Sequence, residues 1–174
     1  MIFFRFINKT EEQDSKNVDL FFDTLYLRTV GGQPIIGEVI LNKTILSKTK
    51  NSLEYWKNYF LLSFTQILGF NRYHITNYFN NMFTKYDENG VARKYINSLK
   101  VIQAAKKYFN CDDLDGVELE ESTNTIYWES RILLGEYMCR YGHEPERFIS
   151  EITLAFLEDT GYYTANYYTG GRMQ

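Results

Sequence analysis

Leu53-Glu-Tyr-Trp-Lys-Asn-Tyr-Phe-Leu-Leu-Ser-Phe-Thr-Gln-Ile-Leu68, followed by Gly69 and Phe70, is the stretch on which the reading of this chain turns. No proline or glycine interrupts it. Asn51 is an N-cap candidate with Glu54 three residues on, and Gly69 stands where a helix would stop. The stretch predicts a helix over 53–68. Apolar residues fall around nearly its whole circumference: Leu53, Tyr55, Trp56, Tyr59, Phe60, Leu61, Leu62, Phe64, Ile67 and Leu68. A helix apolar on all sides belongs in an interior, so this one is expected to be central and buried. Its polar residues Ser63, Thr65 and Gln66 must then find partners inside.

Before this helix, residues 1–17 read as an extended piece and a polar loop, and 18–30 as one or two strands. Gly31-Gly32-Gln33-Pro34 reads as a turn, 35–41 as a short strand broken by Gly37, and 42–50 as a polar connection. After it, 71–98 is aromatic and Asn-rich, with a turn at Asp87-Glu88-Asn89-Gly90. An amphipathic helix runs within 97–109 through Leu99, Ile102 and Ala105, and 112–125 is acidic and loop-like. Residues 126–134 fit strand or irregular backbone. Pro145 suits the first position of a last helix, with Ile149, Ile152 and Phe156 inward and Gly161 at its end. There is no internal repeat or low-complexity linker. The fold class is α+β: a small N-terminal β portion, a buried central helix and a helical C-terminal lobe. The division falls at 1–70 and 71–174, packed as one compact unit.

At 174 residues, with 44% apolar and 24% charged residues, the composition is that of a soluble globular protein or a piece of a larger one. A net charge of −3 without a basic stripe gives no footprint for nucleic acid. No segment approaches the roughly 18 apolar residues of a membrane span. The apolar run at Met1-Ile-Phe-Phe is too short for a secretory core, and Glu11, Glu12 and Asp14 follow early, against a mitochondrial presequence. Cys111 and Cys139 are too few for a disulfide framework or a cysteine zinc site; one disulfide and two buried thiols both stay open. Asn8-Lys-Thr and Asn42-Lys-Thr are glycosylation sequons of a kind expected by chance in so Asn-rich a chain.

Phe60 to Phe70 resembles the zinc helix of leishmanolysin-type metzincin metallopeptidases, whose motif is H-E-x-x-H-x-x-G-F, with Gly69 and Phe70 in place. Other blocks follow the family in order. Gly32-Gln33-Pro34-Ile35-Ile36-Gly37 resembles the stretch leading into the zinc helix. Lys100 to Cys111 looks like the family helix that ends in Tyr-x-Cys. Trp128-Glu129-x-Arg131 with Leu134-Gly135-Glu136-Tyr137-Met138 resembles the segment of the third zinc histidine and the Met-turn. Ile152 to Tyr168 is similar to the closing helix and aromatic turn. Together these blocks cover most of the chain. They imply a partial metzincin-like fold.

The same resemblance exposes what is missing. A catalytic zinc needs three protein ligands and an open water position. Leu62 stands at the first histidine, Ser63 at the general-base glutamate, Gln66 at the second histidine and Tyr127 at the distant third. Leucine cannot ligate zinc, a carboxamide and a neutral phenol are poor ligands, and an unactivated serine is no base at neutral pH. Met138, at the Met-turn position, has a packing role that outlasts the metal. The Gly-rich approach to the third histidine is shorter here, at Glu120-Glu121-Ser122-Thr123-Asn124-Thr125, and the family's cysteine-rich region has no counterpart.

Nothing else in the chain rebuilds a site. His74 is out of register for a compact metzincin motif, and His143 reads as a solvated loop residue. Asp112, Asp113, Asp115, Glu118, Glu120 and Glu121 lack calcium-loop spacing and read as a solvated loop; Gly170-Gly171 lacks the strand and helix of a phosphate loop. The expectation is therefore an inactive leishmanolysin-like pseudopeptidase with a degenerate HExxH, no catalytic residues and no zinc or other cofactor. It would act as a structural or binding subunit with protein partners. Gln66 and Tyr127 are expected to hydrogen-bond each other, and Leu62 to fill space near Met138. The alternatives are a zinc metalloendopeptidase of the family, with its proteolysis and cell adhesion, or a fragment of a larger surface protein. The family is usually extracellular or membrane-associated, which the sequons permit, whereas the lack of a signal peptide points to an intracellular location.

Overall fold

Val39 and Leu41 alternate along the strand that follows Pro34, and the computed structural model buries both against the helix that the sequence predicts. The structure describes residues 1–7, 22–30, 32–42, 53–121, 126–140 and 147–169. It divides into two units, Met1–Leu68 and Gly69–Gln174.

In the first unit, β1 (Ile2–Ile7) and β2 (Phe22–Val30) flank β3 (Gln33–Asn42) in the order β1-β3-β2. β1 runs parallel to β3 from the pair Ile2–Gly37 onward, and β2 is antiparallel with register shifts around Arg28. The strand is thus longer than the sequence suggests, since it begins at Gln33 and passes through Pro34 and Gly37. Pro34 is tolerated because β1 pairs with β3 only from Gly37 on, so the proline sits where the strand has one neighbour. The Met1 ammonium donates to the Ile35 carbonyl at 2.6 Å.

Helix α1 (Leu53–Leu68) follows with the predicted bounds; Asn51 lies outside the described residues. It packs on the sheet through Ile67, which joins Val39 and Leu41, with Trp56, Tyr59, Phe60 and Phe64 half-buried around them. The expectation of a buried central helix is corrected here. Ile67 is its only buried apolar residue, Leu53 is 85% exposed, and the other buried positions are Asn58, Ser63, Thr65 and Gln66. A three-stranded sheet is too narrow to enclose a helix of 16 residues, so its aromatic flank is only half covered.

Gly37 has a function the sequence reading missed. A Cβ there would collide with the Ile67 side chain, so the glycine lets helix and sheet approach closely. Gly37→Ala should therefore lose about 1–3 kcal/mol of stability by overpacking. Urea denaturation checks this, and an unchanged midpoint would show that Ile67 simply moves aside.

The second unit is not the helical lobe expected. Its centre is a four-stranded antiparallel sheet, ordered β4-β5-β6-β7, made of β4 (Met82–Tyr86), β5 (Ala92–Ile96), β6 (Val117–Glu121) and β7 (Ile126–Trp128). The stretch 71–98 also holds a short helix α2 (Arg72–Asn77), whose cap residue Asn71 accepts from the His74 N–H at 2.9 Å. The predicted turn closes the β4–β5 hairpin: Asp87 Oδ1 accepts from the N–H groups of Asn89 and Val91, and Gly90 has φ 77°.

Two helices lie antiparallel in this unit, α3 (Leu99–Phe109) and α4 (Glu151–Asp159). Ion pairs fix their direction: Lys100 meets Glu158 at 3.0 Å and Lys107 meets Glu151 at 2.8 Å. Asp159 Oδ2 accepts from the N–H groups of Lys100 and Val101, so the end of α4 caps the start of α3. The inward face of α3 carries Val101 and Ala105, one turn apart, while Leu99 is 70% exposed rather than buried. Helix α4 begins at Glu151 with Ser150 as cap, later than expected; Ile149 precedes it and Pro145 lies outside the described residues. Ile152 and Phe156 are buried, and Gly161 follows the helix with φ 78°.

Aromatic rings form the core of this unit. Phe156 meets Phe70 at 4.7 Å and Phe79 at 4.8 Å, and Phe70 meets Trp128 edge-on at 4.9 Å. Among the described residues, no helix is long and apolar enough to cross a membrane.

Candidate functional site

Leu62, Ser63 and Gln66 lie within two turns of α1. Leu62 is half-buried, and Ser63 and Gln66 are buried. The Ser63 hydroxyl donates to the Tyr59 carbonyl at 3.1 Å, and Thr65 does the same to Leu61 at 2.9 Å. Both hydroxyls are thus engaged by their own helix, a common way for such side chains to settle inside one. Gly69 ends the helix with φ 134°, a conformation that favours glycine, and a Cβ there would sit 3.4 Å from His74 Nδ1. Phe70 then enters the aromatic core of the second unit.

Tyr127 and Met138 belong to that unit. Tyr127 is half-buried between buried Ile126 and Trp128, so it faces the opposite side of the sheet from them. Met138 is fully buried, and its carbonyl accepts from the Trp128 N–H at 3.0 Å. The strand that carries Tyr127 and the turn that carries Met138 therefore run side by side. The turn is closed by Gly135, at φ 89°, and by backbone bonds to Phe148, whose carbonyl accepts from the Tyr137 N–H at 3.1 Å.

The other sequence candidates are placed as follows. His74 is buried on α2, between the rings of Tyr78 and Tyr162 at 5.7 Å each. Neither ring nitrogen has a hydrogen-bond partner among the described residues, and burial lowers its pKa. The acidic run is a solvated loop only in its first part: Asp112, Asp113 and Asp115 are exposed, whereas Val117–Glu121 form β6. Glu118 lies on β6 and is buried, and it takes Arg131 Nη2 at 2.9 Å and Arg93 Nη1 at 3.8 Å. Arg131 also holds Glu129 at 3.0 Å, so the Trp128-Glu129-x-Arg131 segment is clamped to the sheet by charge pairs. Cys111 is exposed, Cys139 is buried, and both are free thiols; the Cys139 thiol donates to the Leu133 carbonyl at 3.0 Å. His143, Gly170 and Gly171 lie outside the described residues.

A helix ending in Gly-Phe, a strand ending in Tyr-Trp and a buried methionine turn held against it are accompanied by a sequence-wide match. The family model of leishmanolysin (Peptidase M8) matches residues 20–174. The chain belongs to the leishmanolysin family. Leishmanolysin-like peptidase of Drosophila pseudoobscura pseudoobscura is 44% identical over 72 residues, covering 39% of this chain and 10% of that protein. Leishmanolysin-like peptidase of Caenorhabditis elegans matches at the same identity, over 11% of its length. Ciliated left-right organizer metallopeptidase of Danio rerio is 28% identical over 153 residues, covering 78% of this chain and 24% of that protein. The chain thus spans about a tenth to a quarter of the length of these relatives.

Leishmanolysin-family peptidases are zinc-dependent, and the residues that the sequence resemblance sets at the metal positions do not fit the ion. Leu62 offers no lone pair, Gln66 only a neutral carboxamide and Tyr127 a phenol. Ser63 has its proton directed at Tyr59 O, not toward a nucleophile. Among the described residues, no group of three or more His, Cys, Asp and Glu side chains is gathered to hold a metal ion.

Sequence reasoning missed one assembly in this region. Glu136, two residues before Met138, is buried and accepts hydrogen bonds from the Met138 N–H, from Ser150 and from Thr153. No spacing rule marks a single glutamate between Gly135 and Tyr137, so no pattern in the sequence would have found it.

Proposed function

We propose that this leishmanolysin-family chain holds no catalytic zinc and acts as a binding or structural subunit, not as a peptidase. The observation that carries the reading is the joint replacement of all three metal positions and the base, by Leu62, Gln66, Tyr127 and Ser63, in a segment that keeps Gly69, Phe70, Trp128 and Met138. The scaffold residues are those that pack, and the replaced ones are those that do chemistry. Half-covered aromatic surface on the first unit supports a partner: Phe4 and Phe6 on β1 are exposed, and Phe4 meets Phe60 and Phe64 edge-on at 5.9 and 6.3 Å.

The test is a peptidase assay on protein purified from its native source, with and without a zinc chelator, beside native mass measurement of the same sample. The expected result is no chelator-sensitive cleavage, and a mass above that of one chain. The second reading, a zinc endopeptidase, is favoured by the names of the relatives described above, leishmanolysin-like peptidase and ciliated left-right organizer metallopeptidase. Cleavage abolished by the chelator would establish that reading, and a strictly monomeric native mass would remove the subunit role.

A further inference from the structure

The two outer strands of the first unit's sheet differ as edges. β2 meets β3 with register shifts around Arg28, and an irregular edge is a poor template for a further strand. β1 keeps its register with β3 unbroken from Ile2 to Ile7, and among the described residues no strand pairs with its other side. Met1 gives both its ammonium and its carbonyl to β3, the first to Ile35 O at 2.6 Å and the second to the Gly37 N–H at 3.0 Å. In a parallel ladder, residues that bond one neighbour alternate with residues that face the other way. The odd-numbered residues of β1 therefore bond β3, and Ile2, Phe4 and Phe6 turn their N–H and C=O groups to the outer edge.

The side chains of the same three residues are exposed, at 37%, 49% and 55%, and none is charged. A strand added antiparallel to this edge must bring its own outward-facing groups against theirs. A second copy of the chain does so at all three positions when the pairing centres on Phe4. Ile2 then opposes Phe6 of the second copy, Phe4 opposes Phe4, and Phe6 opposes Ile2. A shift of two residues either way loses one of these pairs. Each pair exchanges two N–H···O bonds, and aromatic and β-branched side chains directly opposite one another favour such pairing. Opposed residues share a face, so the two Phe4 rings meet on the side that carries α1, where Phe60 and Phe64 back each of them. Helix α1 packs over β3 through Val39 and Leu41, away from the new seam.

We propose that β1 is the joint of a two-fold dimer of this chain, in which two β1 strands pair antiparallel about Phe4 and join two three-stranded sheets into one. This names the partner of the subunit reading above and rests on that reading for its role. A second copy is the occupant because the edge is its own complement: the same three apolar residues serve both sides, and no charge is set against them. The joint uses each β1 once, and the irregular β2 edge does not extend the sheet, so association closes at two chains. At roughly 200 Å² for a whole aromatic side chain, half-open Phe4 and Phe6 with Ile2 and the strand edge offer about 400–500 Å² a chain. That is the low end for a specific interface, so the dimer is weak, with Kd on the order of 10–100 µM.

The experiment is sedimentation velocity on the full chain, over concentrations that bracket this constant by about tenfold each way. Wild type should pass from one chain to two. Phe4→Lys and Phe4→Glu each set like charges face to face on the axis, and each alone should weaken association at least about tenfold. An equimolar mixture of the two should regain it, because only in this register does the position of Phe4 oppose itself. Circular dichroism shows whether the variants are folded. If they are not, amide hydrogen exchange of the wild type decides: the Phe4 and Phe6 amides should slow as concentration rises. The proposal is overturned by a wild type that stays monomeric, by particles that grow beyond two chains, or by a dimer indifferent to both folded variants. A mixture that does not regain association, or amides equally fast at both ends of the range, overturns it too. Such a failure leaves the subunit reading standing, since that reading fails only on a monomeric native mass. A native mass of unlike chains would put a different protein in place of the second copy.

Discussion

Phe156→Ala should lower the stability of the second unit by about 3–5 kcal/mol, the usual range when a fully buried ring is truncated to a methyl. Phe156 is completely buried on α4 and meets Phe70, Phe79 and Trp128 at 4.7, 4.8 and 6.3 Å. These rings come from four segments: the residue after Gly69, the stretch before β4, the end of β7 and α4 itself. The cavity left by the ring cannot collapse without moving one of them. Urea denaturation followed by near-UV circular dichroism reads the loss. A change below about 1 kcal/mol would mean that the rings are not packed as described. The effect should reach the Met138 turn as well, because Trp128 supplies both the ring in this cluster and the N–H bonded to Met138 O.

A pair of zinc ligands should be recoverable on α1 with two substitutions. Leu62→His and Gln66→His together should give the chain measurable zinc binding where the wild type has essentially none, since two imidazoles four residues apart on one helical face can share a metal. Leu62 is half-buried, which leaves room for an imidazole ring, whereas Gln66 is buried and is the more demanding change. Two protein ligands leave the tetrahedral shell half filled, so the variant should bind zinc weakly and without hydrolytic activity. Isothermal titration with zinc, on protein shown to be folded, checks both. A folded double variant that takes up no zinc would contradict the placing of these two positions on one accessible face of α1.

Much of the fold could be read from residues with a local reason for their conformation. Helix α1 was legible because 16 residues run without a breaker and stop at Gly69. The turn at Asp87–Gly90 was legible because Asp and Gly carry its geometry. What failed depended on the surroundings. Residues 112–125 read as loop because of their acids, yet β6 runs through them, and the charge of Glu118 is met by Arg93 and Arg131 from other segments. Leu99 looked inward by periodicity, but α3 is oriented by Asp159 and the lysine pairs with α4, which turn Val101 and Ala105 to the core. The breadth of apolar residues on α1 implied an enclosed helix, although the sheet beside it has three strands. For the candidate site, the departures that the resemblance sets at Leu62, Ser63, Gln66 and Tyr127 were visible as residue types, none of which zinc chemistry uses in those places. Glu136 was not, since its role exists only through Ser150, Thr153 and Met138.

Zinc per mole of purified protein, determined by elemental analysis after dialysis against a weak chelator, tests the central claim most directly. The reading of Leu62, Gln66 and Tyr127 as a dismantled metal site predicts a value near zero. A value near one would contradict it and return the chain to the zinc peptidases of its family.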